Sequence, residues 1–384
     1  MNILINLISI KKGGGQQVAI NFINQLVKIN TSNKVYFLVP KNTLVHRYLL
    51  NIKYKQLIVS ENSILYRAIL LPLIIALITK QKKINVIYTL FGIGIKSKKC
   101  ISVVGNAYSN IFFPEIKFWN EKKIFRKLFL RYRDKIRLKS SLDADGIVFE
   151  NKSMMDRAIS LFNYPPERCV FIKPSITESI HAEYSDNIKK VCRNFSDNKF
   201  IVLVLTGYHK NKNLELIPAI ASELKKCQNE NIHFTISIDK SDSKIQHIIR
   251  DIRERDVCDY FTFIGSVNPL DVQYLYSKIH TVMLLSLLES FSNNIIEAWM
   301  YRRPLIISDM EWSRSICYDA ALYVERQDPS DIASKLVLLS VDNNIYTDLV
   351  SKGNREVSTY PTPKQKVDLQ LDFLRKIYAL KKNS

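Results

Sequence analysis

Two carboxylates, Glu289 and Glu297, stand with seven residues between them, and the intervening stretch is Ser290, Phe291, Ser292, Asn293, Asn294, Ile295 and Ile296. Thr281 to Leu285 is a strand-type apolar run, Ser290 to Asn294 a polar turn, and Ile295, Ile296, Ala298, Trp299 and Met300 a helical pattern. Pro304 then leads a second apolar run, Leu305 to Ile307. That order predicts one parallel crossover unit, with the turn at the carboxyl end of a strand, where open α/β sheets bind ligands. The N–H groups of Phe291 to Asn294 at such a helix start attract an anion. A carboxylate accepts two hydroxyl hydrogen bonds, so the flanking acids suit sugar hydroxyls held beside a phosphate. Further back, Phe200 to Gly207 reads as a strand, and His209, Lys210, Lys212 and Asn213 follow it at the start of a helix. A lysine at a helix start adds its positive charge to that of the helix terminus, so the turn suits an anion.

Other residues with chemical possibilities lie in the first half. The first strand, Ile3–Ile8, is followed by a turn containing Gly13 and Gly14, and Val18, Phe22, Leu26 and Ile29 then repeat at helical spacing. This turn either brings backbone N–H groups to a phosphate or is a structural corner; it is not the dinucleotide fingerprint. Asn106 and Tyr108 end a strand that begins at Ile101. Residues 117–139 carry ten Lys or Arg against two acids, interleaved with apolar residues. Phe118, Trp119, Lys122, Lys123, Arg126, Lys127 and Arg131 are its candidates for docking on an anionic membrane surface. The alternative is a domain helix whose apolar stripe (Phe118, Ile124 or Phe125, Leu128, Tyr132, Ile136) packs on a sheet while its charges face water. Asp143 and Asp145 form a D-x-D just before a strand, a position that is ordinary in this pattern.

The elements that position these residues are short apolar runs alternating with helical patterns. In the first half they are Ile3–Ile8, Val35–Val39, Leu57–Val59, Val86–Leu90, Ile101–Val104, Ile147–Phe149 and Val170–Ile172. In the second they are Phe200–Gly207, His233–Ile238, Tyr260–Ile264, Thr281–Leu285, Leu305–Ile307 and Ala321–Val324. The pattern predicts an α/β fold with doubly wound parallel sheets. A chain of 384 residues suits two domains. The polar stretch from His181 to Lys199 is the candidate linker, and the predicted boundaries are 1–175 and 176–360, with a terminal helix at about 361–384.

Composition narrows the classes. Apolar content of 47% and charged content of 24% are globular values, and the net charge of +20 calls for an anionic partner. No RNA- or DNA-binding motif accompanies that charge, so nucleic acid is not the expected partner. The six cysteines lack any C-x-x-C and the six histidines lack ligand spacing, so no metal site is expected. Cysteines so scattered read as the reduced, buried residues of a cytosolic protein. The amino terminus reads as a first strand and not as a signal peptide. The longest apolar run, Ala68 to Thr79, is short of the roughly 20 residues that span a bilayer, and predicts a core or interfacial helix.

Glu289 and Glu297 in their strand–turn–helix setting resemble the Glu-x7-Glu motif of retaining, nucleotide-sugar-dependent glycosyltransferases of the GT-B type, family 4, enzymes of bacterial polysaccharide biosynthesis. Gly13 and Gly14 fall on that family's loop after the first strand, and Gly265 falls on its Gly-x-Val segment lining the nucleotide base. Lys212-Asn213 fits its Lys-Gly/Asn step best, with His209-Lys210-Asn211 matching almost as well. The resemblance implies two Rossmann-like domains facing each other across a cleft, an amino-terminal acceptor domain and a carboxyl-terminal donor domain. It implies sugar transfer from a nucleotide-diphosphate sugar, a UDP-sugar among them, to a hydroxyl of a saccharide acceptor, with retention and no metal or other cofactor. On it, Lys212 and the Ser290–Asn294 amides hold the diphosphate, Glu297 the ribose and Glu289 the sugar hydroxyls. The expected setting is the cytoplasmic face of the inner membrane, peripherally bound, with a polyprenyl-diphosphate-linked acceptor in O-antigen, lipopolysaccharide or capsule assembly. Two departures stand out: Asn106 occupies the strand end where relatives carry a His, and Arg303 stands where they carry Gly. An inactive binding homologue and a sugar-nucleotide epimerase of the same build are the alternatives.

Overall fold

The computed structural model describes residues 1–382 except 12–13, 30–33, 62–69, 96, 98, 120–121, 177–182 and 197. Gly13 therefore lies outside the described residues. The chain divides into two compact units, Met1–Ile176 with Pro361–Ser384, and Thr177–Tyr360.

In the first unit the order is β1 (Asn2–Asn6), α1 (Gly14–Lys28), β2 (Lys34–Pro40), α2 (Leu44–Asn51), β3 (Leu57–Ser60), α3 (Leu71–Gln81), β4 (Val86–Thr89) and β5 (Ile101–Asn106). It continues with α4 (Ile124–Leu142), β6 (Gly146–Phe149), α5 (Lys152–Phe162) and β7 (Cys169–Phe171). These strands form one parallel sheet in the order β3-β2-β1-β4-β5-β6-β7. Its strands are short and nearly all apolar because helices cover both faces. Ile3 and Ile5 point to the side covered by α1 and by the terminal helix. Leu4 and Ile87, paired in register, point to the side of α3, where Leu71 and Ile75 pack on them.

The second unit runs α6 (Asp186–Arg193), β8 (Phe200–Val204), α7 (Ile217–Lys226), β9 (Ile232–Ile236), α8 (Gln246–Glu254), β10 (Phe261–Phe263), α9 (Val272–Ser277) and β11 (Thr281–Leu284). Then come α10 (Asn293–Met300), β12 (Leu305–Ser308), α11 (Glu311–Cys317), β13 (Leu322–Val324), α12 (Pro329–Val341) and α13 (Asn343–Val357). The last helix, α14 (Pro363–Lys382), belongs to the first unit. The second sheet is also parallel, in the order β10-β9-β8-β11-β12-β13. This is the doubly wound order with its reversal between β8 and β11, where crossovers leave on opposite faces and a crevice opens at the strands' carboxyl ends.

The polar stretch expected to be a linker carries α6. Ser185 caps it by accepting from Ile188 N–H, and its own N–H and hydroxyl donate to Asp271 at 2.9 and 2.7 Å. Only Ile188 and Cys192, one turn apart, face inward, too few to show as a period. The D-x-D acids are structural: Asp145 accepts from Ser102 N–H at 2.9 Å and pairs with Lys381, and Asp143 pairs with Lys139 at 3.2 Å.

α4 inverts the domain-helix reading. Leu130, Asp134, Arg137 and Ser141, spaced four, three and four, make its inward face. Asp134 accepts from Asn110 and Trp119 side chains at 2.6 Å each and from Arg137 at 3.1 Å. Trp119 and Phe118 are half-buried and meet edge to face at 5.0 Å, so these two docking candidates lie off the exposed stripe. The apolar stripe itself, from Ile124 and Phe125 to Tyr132, points away from the sheet, with Phe125 85% and Phe129 64% exposed.

Candidate functional site

At the carboxyl ends of β8 and β11 two loops are stapled together by one residue. The Asn211 carbonyl accepts from Leu287 N–H at 2.8 Å, its side-chain oxygen accepts from Leu288 N–H at 3.0 Å, and its amide donates to Leu288 O at 2.8 Å. Trp312, wholly buried, donates to Leu287 O at 3.1 Å from the other side. The loop ahead of α10 is thus fixed on both flanks, although its sequence is that of an ordinary polar turn. In the sequence Asn211 stands only in the alternative His209-Lys210-Asn211 match; inside a lysine-rich loop nothing marks it as the cross-loop staple.

The staple places the two charges. Lys212 Nζ lies 2.6 Å from Glu289 Oε1, and the Asn211 amide approaches the same oxygen at 3.3 Å. Both charged side chains are largely but not wholly covered, so the pair can be opened by an anion or a hydroxyl that competes for either partner. Lys210 is exposed on the same turn and Lys212 is half-buried. His209 caps that turn, accepting from Asn211 N–H at 3.1 Å. Asn213 takes the left-handed conformation (φ 56°), which Asn and Gly tolerate best, and its side chain donates to Arg326 O at 2.6 Å. The requirement at residue 213 is therefore conformational.

α10 starts beside this pair. Ser292 precedes it in an extended conformation without a side-chain cap, and Asn294 donates to Leu205 O at the end of β8 at 2.6 Å. Thr206, Lys212, Leu285 and Asn294 share one small pocket at the strand ends. Ser290 and Phe291 are half-buried, the Phe291 ring 6.1 Å from that of Tyr360, and Asn293 is exposed. One turn along α10, Glu297 accepts from the wholly buried Tyr276 hydroxyl at 3.2 Å. Burial raises the Glu297 pKa, and the Tyr276 hydrogen bond opposes that rise. Arg303 extends the same support: its guanidinium donates to Tyr276 O at 2.8 Å and Ser277 O at 3.2 Å, holding the end of α9. The left-handed residue of the α10–β12 corner is Arg302 (φ 57°), so the departure at Arg303 strains nothing. Gly265 lies two residues after β10, with φ +71° and open space around it.

The first unit's candidates stand differently. Gly14 opens α1. Asn106 is 1% exposed, donates to Ser141 at 2.7 Å and accepts from Tyr108 N–H at 2.8 Å, which makes it an interior tie between β5 and α4. The Tyr108 ring lies under the Arg137 guanidinium at 3.9 Å.

Residues 199–342 match the sequence profile of the family described as Glycosyl transferases group 1. The match lies within the carboxyl-terminal unit, which is similar to that family over these residues. The chain is 22% identical over 245 residues to the O-antigen chain mannosyltransferase RfbU of Salmonella typhimurium, covering 63% of this chain. It spans 62% of that curated relative's length. Among solved structures, the Anabaena HepE protein in complex with UDP and glucose aligns over 98% of this chain and 99% of its own, at 14% identity and a TM-score of 0.68. Sucrose-phosphate synthase of Thermosynechococcus elongatus aligns over 99% and 100%, at 13% identity and a TM-score of 0.72. Both likenesses are of fold, and with the two parallel sheets they give this chain the GT-B fold. In the second unit, Lys212, Glu289 and the start of α10 stand together at the switch point of the sheet, and Glu297 lies one turn inside the helix.

Proposed function

We propose that the chain is a retaining glycosyltransferase that moves a sugar from a nucleoside diphosphate sugar to a hydroxyl of a lipid-linked saccharide acceptor in cell-surface polysaccharide assembly. The observation that carries this reading is the Lys212–Glu289 pair, 2.6 Å apart, beside the uncapped start of α10. Lys212 and the α10 amides take the donor diphosphate, Glu289 the hydroxyls of the transferred sugar, and Glu297 the ribose. The C1–O bond to the diphosphate breaks while a C1–O bond to the acceptor forms on the same face. The acceptor's proton passes to the departing phosphate oxygen, so no protein base is required. The positive charge that stabilises the leaving group comes from Lys212 and the helix terminus, and the reaction needs no metal; turnover should survive EDTA. The similarity to RfbU, an O-antigen chain mannosyltransferase, and the UDP bound by HepE favour an O-antigen-type product and a uridine donor. The protein acts peripherally at the cytoplasmic face of the membrane that carries the acceptor.

The test is a thermal-shift panel of nucleoside diphosphates and their sugars, followed by transfer assays with Glu289→Ala. Ligand at a hundred times its Kd stabilises by about 2.7 kcal/mol, which names the base. Glu289→Ala should lower turnover by about 10²–10³-fold with an unchanged far-UV spectrum. Near-normal transfer by that variant would overturn the assignment.

A further inference from the structure

The face of the first sheet that carries Leu4 and Ile87 is covered by α3 and also by α4. Ile87 pairs with Ser102 in register, so Ser102, Val104 and Asn106 point to that same face, and Asn106 bonds Ser141 of α4. The two helices form one outer layer of the first unit. Each turns an apolar face outward. On α3, Leu71, Ile75 and Thr79 are buried, while Leu73 and Leu77 are 61% and 58% exposed. On α4 the outward residues are Phe125, Leu128, Phe129 and Tyr132. Neither set is scattered; each lies opposite its helix's inward face.

Charge decides what covers this layer. Lys122, Lys123, Arg126 and Arg131 flank the α4 face, and Lys80, Lys82 and Lys83 follow the α3 face, all exposed. A second copy of the chain would bring ten Lys or Arg against ten across residues 117–139. A nucleic acid would match the charge and could stack on Phe125, Phe129 or Tyr132, but it gains little from Leu73, Leu77 and Leu128, which cannot stack on bases. An anionic bilayer satisfies both halves at once, taking apolar side chains below its headgroups and lysines among them. Among the described residues no helix is long and apolar enough to cross a membrane, so the contact is with one leaflet's surface.

We infer that the α3–α4 layer docks on an anionic lipid surface, with Phe125 and Phe129 of α4 and Leu73 and Leu77 of α3 entering below the headgroups. This deepens the peripheral-membrane part of the reading above by assigning the surface. Its test reads lipid binding without donor or acceptor, so failure of transfer and failure of docking are separate results.

The experiment is co-sedimentation of the full chain with vesicles of phosphatidylcholine containing about one-third phosphatidylglycerol, and with vesicles of phosphatidylcholine alone, at low and high salt. The wild type should bind the anionic vesicles at least about tenfold better, more weakly as salt rises but not to zero, because the apolar contact is unscreened. Phe125→Glu with Phe129→Glu, and separately Leu73→Glu with Leu77→Glu, should each cut binding about tenfold or more while far-UV spectrum and donor binding stay unchanged. Phe125→Leu with Phe129→Leu should keep it. Wild-type binding by both glutamate pairs overturns the inference, as does no binding to anionic vesicles. A dimer that the same substitutions dissociate would also overturn it, and would name a second copy as the occupant.

Discussion

Glu297 is a carboxylate that folding makes harder to ionise, because burial outweighs the hydrogen bond from Tyr276. Its folded pKa lies above its unfolded value, so the folded state holds the proton more tightly. The stability it contributes is complete below the ordinary glutamate range and is lost as pH rises through the raised value. Glu297→Gln keeps an oxygen for Tyr276 and removes the charge. The variant should melt higher than wild type near neutral pH, with the gap closing as pH falls toward about 4. A variant that melts lower at every pH would show that burial does not set this group's energetics. Lys212 belongs to the same scale. Replacing it with Ala removes the charge offered to the diphosphate and leaves Glu289 without its ion-pair partner, so kcat should fall about 10²–10³-fold while the melting temperature moves little. Single-turnover kinetics separate this loss from weakened donor binding.

The elements that carry these side chains are held by contacts that show where geometry is vulnerable. α10 is seated by Trp299, which donates to Ala320 O at 3.0 Å and lies against Gly353 of α13. A Cβ at residue 353 would stand 2.4 Å from Trp299 Cδ1, inside van der Waals contact with a wholly buried ring. Gly353→Ala should therefore destabilise by about 1–3 kcal/mol in urea unfolding, despite the better helix propensity of alanine, and should weaken donor binding through the displaced α10. Asn211→Ala leaves the Leu288 N–H and C=O unpaired between the two loops, at a cost of about 1–3 kcal/mol. These contacts mark what the sequence could and could not carry. The alternating apolar runs placed the thirteen strands of the described residues, since a buried parallel strand must be apolar throughout. The apolar spacing after Asn294 likewise placed α10, on which Glu297 rides. Direction was less legible. The stripe of α4 was visible, but a stripe does not say whether it faces the sheet or the solvent, and here Asp134 and Arg137 took the inward side. Asn106 and Asn211 are both asparagines at strand ends or in polar loops, and only the fold separates the interior tie from the cross-loop staple.

At the scale of the whole chain, the first unit is completed by residues that the chain supplies last. It leaves that unit after Ile176 and returns at Pro361. α14 then buries Val367, Leu371, Phe373, Leu374 and Ile377 against the side of the sheet that α1 also covers. Gln370 donates to the Tyr88 hydroxyl of β4 at 2.9 Å, and Lys366 pairs with Glu150 just past β6. Gly146, at the start of β6, admits Ile377, whose Cγ1 would be 2.9 Å from an added Cβ. The amino-terminal sheet therefore lacks part of its core until α14 docks. Leu374 is 1% exposed, and Leu374→Ala should cost about 2–5 kcal/mol by transfer and cavity terms together. Because α14 touches β4, β5 and β6, the loss should surface there first. Peptide-resolved hydrogen exchange on the full-length variant should show faster exchange in residues 86–89, 101–106 and 146–149 at temperatures where the wild type is protected. Unchanged protection of those strands would mean that α14 lies on the unit without completing its core.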